Sequence, residues 1–364
     1  MTVNEVSQAL NQWAPLHYAE DFDNVGLLVG DPQQEVRGIL ITLDTLESVV
    51  QEAIDRDCNL IVSFHPIIFS GIKRFNGQDY VNRTVIKAIQ HNIAIYAIHT
   101  ALDNVPHGVS KGMCDRLGLI QRRVLMPKKG QLLELTTYVP HDQLESLRKQ
   151  LFEAGAGAIG HYEECSFNVQ GTGTFKPGQE SNPTLGTQGE LHEEPETKLS
   201  VVLDRKDRGR VLSALKKAHP YEEVAYELIA LENEQQHLGM GMIGALENPV
   251  AETDFLEKVK KQFQCGGIRH SALRHKPVQQ VAVLGGSGSF AIEAAKRAGA
   301  DVLITADLKY HQFFQGDEQL LLIDIGHYES EQFTKNVLEQ FLKEKFPNFA
   351  ILLSIENTNP VNYL

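Results

Sequence analysis

Two stretches far apart in this chain carry the same pattern: GILITLDTLESVVQEAIDRDCNLIVSFHP, residues 38–66, and VAVLGGSGSFAIEAAKRAGADVLITADLKYH, residues 281–311. Each reads as a short β-rich apolar run, a turn, a helix-spaced stretch, and a second apolar run ending in polar residues. Strand, helix, strand implies a parallel pair joined by a right-handed crossover. Aligning LIVSFH with VLITAD sets His65 opposite Asp307, each at a strand's carboxyl end. The echo continues downstream. IAIYAIHTALDN is an apolar strand followed by His99 and, four residues on, Asp103; LLLIDIGHYESE is another, followed by His327 and Glu331. One H-x-x-x-D/E is weak evidence, but two in matching places mark two related α/β halves, roughly residues 1–128 and 233–364.

The middle, residues 129–232, has a different plan. ELTTYVPHDQLESLRKQLFEAGAGAIGHYEECSF gives strand, helix, strand, and KLSVVLDRKDRGRVLSALKKAHPYEEVAYELIAL repeats it. Two such units in tandem predict a ferredoxin-like α+β insert. Between them TGTFKPGQESNPTLGTQGELHEEPETK has the Gly, Pro, Thr and Glu content of a long loop. The fold class expected is therefore α/β: two related halves forming one core domain, interrupted by an insert large enough to be a domain of its own.

Composition excludes several functions. A formal net charge of −13 argues against nonspecific binding to nucleic-acid polymers, which needs a basic surface. The segment MTVNEVSQALNQWAP lacks the basic start and apolar core of a signal peptide, and no apolar run approaches membrane-spanning length. The four cysteines, Cys58, Cys114, Cys165 and Cys265, form no CxxC pair and fit a reducing cytoplasm.

In open α/β sheets ligands gather outside the carboxyl ends of the strands. His65, Asp103, His327 and Glu331 all fall at that edge, with His99, Asp307 and His311 as further candidates. These nitrogen and oxygen donors, with no thiolate among them, suit zinc first, and also iron, manganese or nickel. A helix starting near Tyr328 would bring His327 and Glu331 together on its first turn. The plainer reading makes that pair a helix cap with an acid favoured by the dipole, and makes Asp103 a turn residue in LDNVPHG. GGSGSF, residues 285–290, could face a phosphate through Gly285, Gly286 and Gly288, with Asp307 where a ribose-binding acid would sit. It matches the dinucleotide fingerprint poorly, because Ala291 takes the third glycine's place. A tight turn that brings backbone close to the metal edge is the simpler role. In HPYEEV, His219, Tyr221 and Glu222 offer an accessory site; the alternative is a strand entry with solvent-facing acids.

WAPLHYAEDFDNVGLLVGD, SFHPIIF, HTALDN, the GGSGS turn, LITADLKYH and IDIGHYESE together resemble the GTP cyclohydrolase 1 type 2 homologue family, also called the Ngg-interacting-factor-three-like family. The resemblance spans both outer halves, and the middle looks like the PII/CutA-type insert of the longer bacterial members. It implies a homohexameric toroid with up to two divalent ions per subunit facing an internal cavity. His65, Asp103, His327 and Glu331 would be ligands, with Glu331 bridging. Where members often read HHP, this chain reads Phe64-His65-Pro66, so the second ion loses a usual ligand. The family name does not itself imply cyclohydrolase activity. Two functions are in view: a metal-dependent hydrolase acting on a nucleotide or related small molecule, or a non-catalytic metal-binding regulatory or chaperone-like assembly with a ligand-sensing insert.

Overall fold

The computed structural model describes all 364 residues and divides into two compact units, Met1–Met126 with His237–Leu364, and Pro127–Gln236. The larger unit contains two sheets. The first runs, in spatial order, Gly26–Val29, Ala94–Ala97, Leu60–Ser63, Ile39–Thr42 and Ile351–Leu353. All neighbours are parallel except the edge strand Gly26–Val29. The segments ILIT, LIVS and AIYA are apolar without alternation because both faces of the sheet are covered. Leu40, Ile61 and Ile95 pack beneath the crossover helices Glu47–Asp55 and Tyr80–Gln90. Ile39, Ile41, Val62 and Tyr96 face the other way, onto helix Val3–Trp13 and onto Leu338 and Leu342.

The second sheet runs Arg269–His270, Leu321–Asp324, Val302–Ala306, Val278–Ser287, Gln235–Val250 and Ile120–Lys128. Its three central strands, from Leu321–Asp324 to Val278–Ser287, are parallel. Arg269–His270 and Gln235–Val250 pair with them antiparallel. In both sheets an antiparallel edge strand lies beside the last of the three parallel strands that one half supplies, so the two halves share a topology as well as a sequence pattern. The halves also exchange strands: Ile351–Leu353 completes the first sheet, while Ile120–Lys128 belongs to the second. A cut at the end of the first half would therefore leave both sheets short.

The smaller unit has strand order Phe167–Phe175, His192–Asp204, Leu132–Pro140, Tyr226–Ala230, every pair antiparallel. With helices Leu144–Glu153 and Arg208–Ala218 this is the βαββαβ arrangement of a ferredoxin-like fold. Leu135, Leu199 and Val201 meet Leu147, Leu151, Val211 and Leu215 in its core. Two expectations need correction here. GAIGHYEEC holds only an isolated bridge, Ile159 to Tyr162, and the strand begins later, at Phe167. The polar stretch 172–198 is not all loop: Phe175 pairs with His192 and Thr172 with Pro195, leaving only residues 176–191 outside the hairpin. A ladder of backbone hydrogen bonds overrides turn-like composition there.

Candidate functional site

His65 lies just beyond the strand Leu60–Ser63, and its backbone is fixed on both sides. Its N–H donates to Leu43 O at 2.9 Å, and Ser63 Oγ donates to its carbonyl at 2.7 Å. The imidazole Nδ1 donates to Asp44 Oδ1 at 2.8 Å, and Asp44 Oδ2 accepts from Thr358 Oγ1 at 2.7 Å. His327 opens the short helix His327–Glu331, preceded by Gly326 at φ 92°, and its Nδ1 donates to Asp307 Oδ2 at 2.7 Å. His99 opens the matching helix His99–Asp103, and its Nδ1 donates to Asp23 Oδ1 at 2.8 Å. Three imidazoles are thus each gripped at Nδ1 by an aspartate. That hydrogen bond fixes the tautomer and leaves Nε2 as the free donor atom, as around metal-ligating histidines.

The free nitrogens of two of these rings converge. His65 Nε2 and His327 Nε2 stand 3.1 and 3.2 Å from Glu331 Oε2. Neither is aligned to hydrogen-bond it, so this oxygen, on a side chain only 3% exposed, has no hydrogen-bond partner. His65, His327 and Glu331 are close enough for one ion to meet all three. Asp103 and His99 line the same cavity of about 940 Å³ but lie outside that cluster. Asp307 also lines it, as the partner of His327 and Ser287. His311 does not: it is exposed, with its ring against Tyr310 and Phe314.

Glycine makes room for the cluster. A side chain on Gly286, at φ 65°, would place Cβ 2.5 Å from Glu331 Oε1, and on Gly285 it would place Cβ 2.7 Å from Val109. Gly286 N–H donates to Ser330 Oγ at 2.9 Å. The GGSGS turn therefore brings backbone against Glu331 and His327, its simpler role. Asp307, read as a possible ribose acid, instead orients an imidazole. The next segment, Ser289–Ala291, is 3-10 helix, and the α-helix after it has only six residues. Phe64 is fully buried, edge-on to His99 with centroids 5.5 Å apart, so it supports a ring where a second donor would otherwise stand. Of the HPYEEV residues, His219 is buried with Nε2 2.9 Å from Tyr138 O; Tyr221 and Glu222 line a separate cavity in the insert.

Electrostatics single out the same group. Burial disfavours charging His65, but the Glu331 and Asp44 carboxylates outweigh it and push its pKa up to about 10. Burial likewise opposes protonation of His327, yet Asp307 and Glu331 push it up to about 11. Burial would raise the Glu331 pKa; the two imidazoles instead hold it well below the usual carboxylate range. Asp103 is raised well above that range, by burial and then by the Glu331 charge.

Sequence reasoning passes over Asp23 and Asp44. Asp44 carries a usable signal, since it comes after an apolar strand at its carboxyl end as His65 does. Asp23 precedes an edge strand in FDNVG, where nothing local distinguishes it from a turn acid.

A duplicated α/β core with imidazoles and carboxylates gathered where its parallel strands end defines a recognisable class. The chain belongs to the Duf34/NIF3 (NGG1p interacting factor 3) family, whose model matches residues 1–360. It is 37% identical over 364 residues to the "GTP cyclohydrolase 1 type 2 homolog" of Halalkalibacterium halodurans, covering 99% of this chain and 98% of that protein. The Bacillus subtilis protein of the same description is 36% identical over 367 residues, with 99% and 98% covered. Among solved structures, a Bacillus cereus protein related to NIF3 superposes with a TM-score of 0.84 at 34% identity, covering 100% of this chain and 99% of that one. No helix is long and apolar enough to cross a membrane.

Proposed function

We propose that the core cavity holds a divalent cation on His65, His327 and Glu331, zinc before iron, manganese or nickel. We read the protein as a metal-dependent hydrolase of a nucleotide or related phosphorylated or heterocyclic small molecule. The observation that carries this is Glu331 Oε2: buried, without a hydrogen bond, and faced by two imidazole nitrogens whose rings are pinned from behind. Two imidazole nitrogens and a carboxylate oxygen converging on one point are a donor set that a divalent cation takes. Asp103 and His99 offer a second, weaker position that shares Glu331, weaker because Phe64 supplies no donor.

A divalent cation bound there acts as a Lewis acid and eases ionisation of water at neutral pH. The chain's own residues supply the rest. Asp103, whose carboxyl pKa is raised well above the usual range, is the group to hold a proton in the cavity and hand it over. Phe22, Phe69 and Phe290, all exposed on the lining, give a planar ring something to stack on. A cavity of about 940 Å³ lies in the size range of small-molecule sites. By its family, self-association into a hexamer is part of this reading, checked by light scattering. A cytoplasmic location is another part, supported by four cysteines in no disulfide. The second reading, a regulatory metal-binding assembly without turnover, is favoured by the insert having a cavity of its own.

The deciding experiment quantifies metal in purified protein, then screens a nucleotide and phosphoester panel with each candidate metal restored. Turnover that disappears with chelation is expected; tight metal binding with no turnover on any compound leaves the regulatory reading. Glu331→Ala is expected to lose bound metal altogether, and unchanged stoichiometry would overturn the ligand assignment.

A further inference from the structure

The ferredoxin-like insert covers one face of its sheet with helices; on the other face it builds a cavity. Along His192–Asp204, Leu199, Val201 and Leu203 point into the core, so Glu196 and Lys198 point the opposite way. Residues 176–191 fold over this second face and are tied to the turn after helix Arg208–Ala218. Asn182 N–H donates to Glu222 Oε2 at 2.8 Å, and Thr184 Oγ1 donates to Pro220 O at 2.9 Å. The space between measures about 650 Å³, with Val169, Phe175, Pro177, Pro183 and Leu185 among its apolar walls.

Glu196 lines this cavity and is only 8% exposed. Tyr221 OH donates to Glu196 Oε1 at 2.6 Å. Oε2 accepts no hydrogen bond, and no lysine, arginine or histidine of the chain forms an ion pair with Glu196. Its position depends on Gly173, where a Cβ would fall 2.0 Å from that same Oε2. That oxygen opens onto the cavity, and the sequence gives up a side chain on the neighbouring strand to keep it there. Glu222 and Glu223 add negative charge to the lining; Lys176 and Lys198 are its cations, both on exposed side chains.

We propose that this cavity binds a small primary amine on an apolar or aromatic body, its ammonium donating to Glu196 Oε2 and its body lying between Phe175 and the 176–191 loop. Size, lining and a carboxylate oxygen open to the cavity are those of a small-molecule site, and a charge-assisted hydrogen bond supplies orientation. The site is independent of the cation cluster in the core.

Calorimetry on the full-length, chelator-treated protein tests this with n-hexylamine and phenethylamine as probes, against 1-hexanol and 2-phenylethanol as neutral isosteres. Both amines are expected to bind at least about tenfold more tightly than the alcohols, and Glu196→Gln is expected to remove that difference. Gly171→Leu gives a second arm that leaves the carboxylate in place. Gly171 lines the cavity with nothing within 4 Å of a Cβ, so leucine there fills the space and is expected to block both amines. Three results would overturn the proposal: no amine binding at millimolar concentration, equal binding of amines and alcohols, or amine binding unchanged in both variants. A cavity filled by a second copy of the chain would give the first of these.

Discussion

Asp103 and Glu331 end matching helices, yet their protons behave oppositely. Against burial, two imidazoles hold Glu331 well below the usual carboxylate range, while partial burial and then the Glu331 charge push Asp103 well above it. In the metal-free protein Asp103 is therefore a liability, and Asp103→Asn is expected to raise the melting temperature in chelator while weakening metal binding. A lower melting temperature in chelator would mean that the carboxyl has a structural partner. The histidines set the pH response. Their folded pKa values, about 10 and about 11, lie above the ordinary 6.5, so their stabilising contribution is complete below pH 6.5 and is lost as pH rises through 10 and 11. Glu331, depressed from 4.5, contributes above that pH and loses its contribution as pH falls. Metal-free protein should thus draw most stability from this cluster between about pH 4.5 and 6.5. Metal affinity should instead climb with pH above 6.5, because the cation must displace imidazolium protons. Melting curves with chelator and with zinc, from about pH 3.5 to about pH 9, check both slopes.

At the scale of elements, much of this site is legible in the sequence because one rule generates it. Apolar strands buried on both faces are visible as unalternating runs, and the residues just past each run land at one edge. That rule finds His65, His99 and His327, and Asp44 is open to it as well. Asp23 is not, because its role depends on an antiparallel edge strand meeting the strand before His99, a pairing no local pattern encodes. The boundary of the insert's hairpin is also hidden, since the paired strands there are polar. The GGSGS turn is readable as either phosphate cradle or close approach, and the close approach is seen only once Glu331 stands behind it. Gly286→Ala puts a side chain at φ 65° and against Glu331 Oε1, costing roughly 1–2 kcal/mol for the backbone alone. A several-degree drop in melting temperature is expected, together with weaker metal binding. Unaltered affinity would show that the carboxylate can shift without consequence.

Across the whole molecule, the site depends on residues that the duplicated pattern does not contain. Thr358, 314 positions after Asp44, holds the carboxylate that holds His65. Thr358→Val keeps the shape and removes the hydroxyl, so metal affinity is expected to fall toward the lower end of the roughly 10–100-fold range seen for outer-shell partners. Thr358→Ser should restore it, and a competitive chromophoric chelator measures both. Equal affinity in the valine variant would reduce the hydroxyl to packing. Nearby, Ser354 Oγ donates to Glu52 Oε2 across 302 positions, beside the parallel pairing of Ile351–Leu353 with Ile39–Ile41. Contacts of such separation carry the entropy of closing nearly the entire chain, and they form late. During synthesis the first sheet emerges early but stays one strand short, with an apolar edge open. His65 waits as well, because Glu331 and Thr358 are made long after it. On the proposed reading, a cation would meet its full set of donors only once Glu331 has been made and Thr358 has closed onto Asp44.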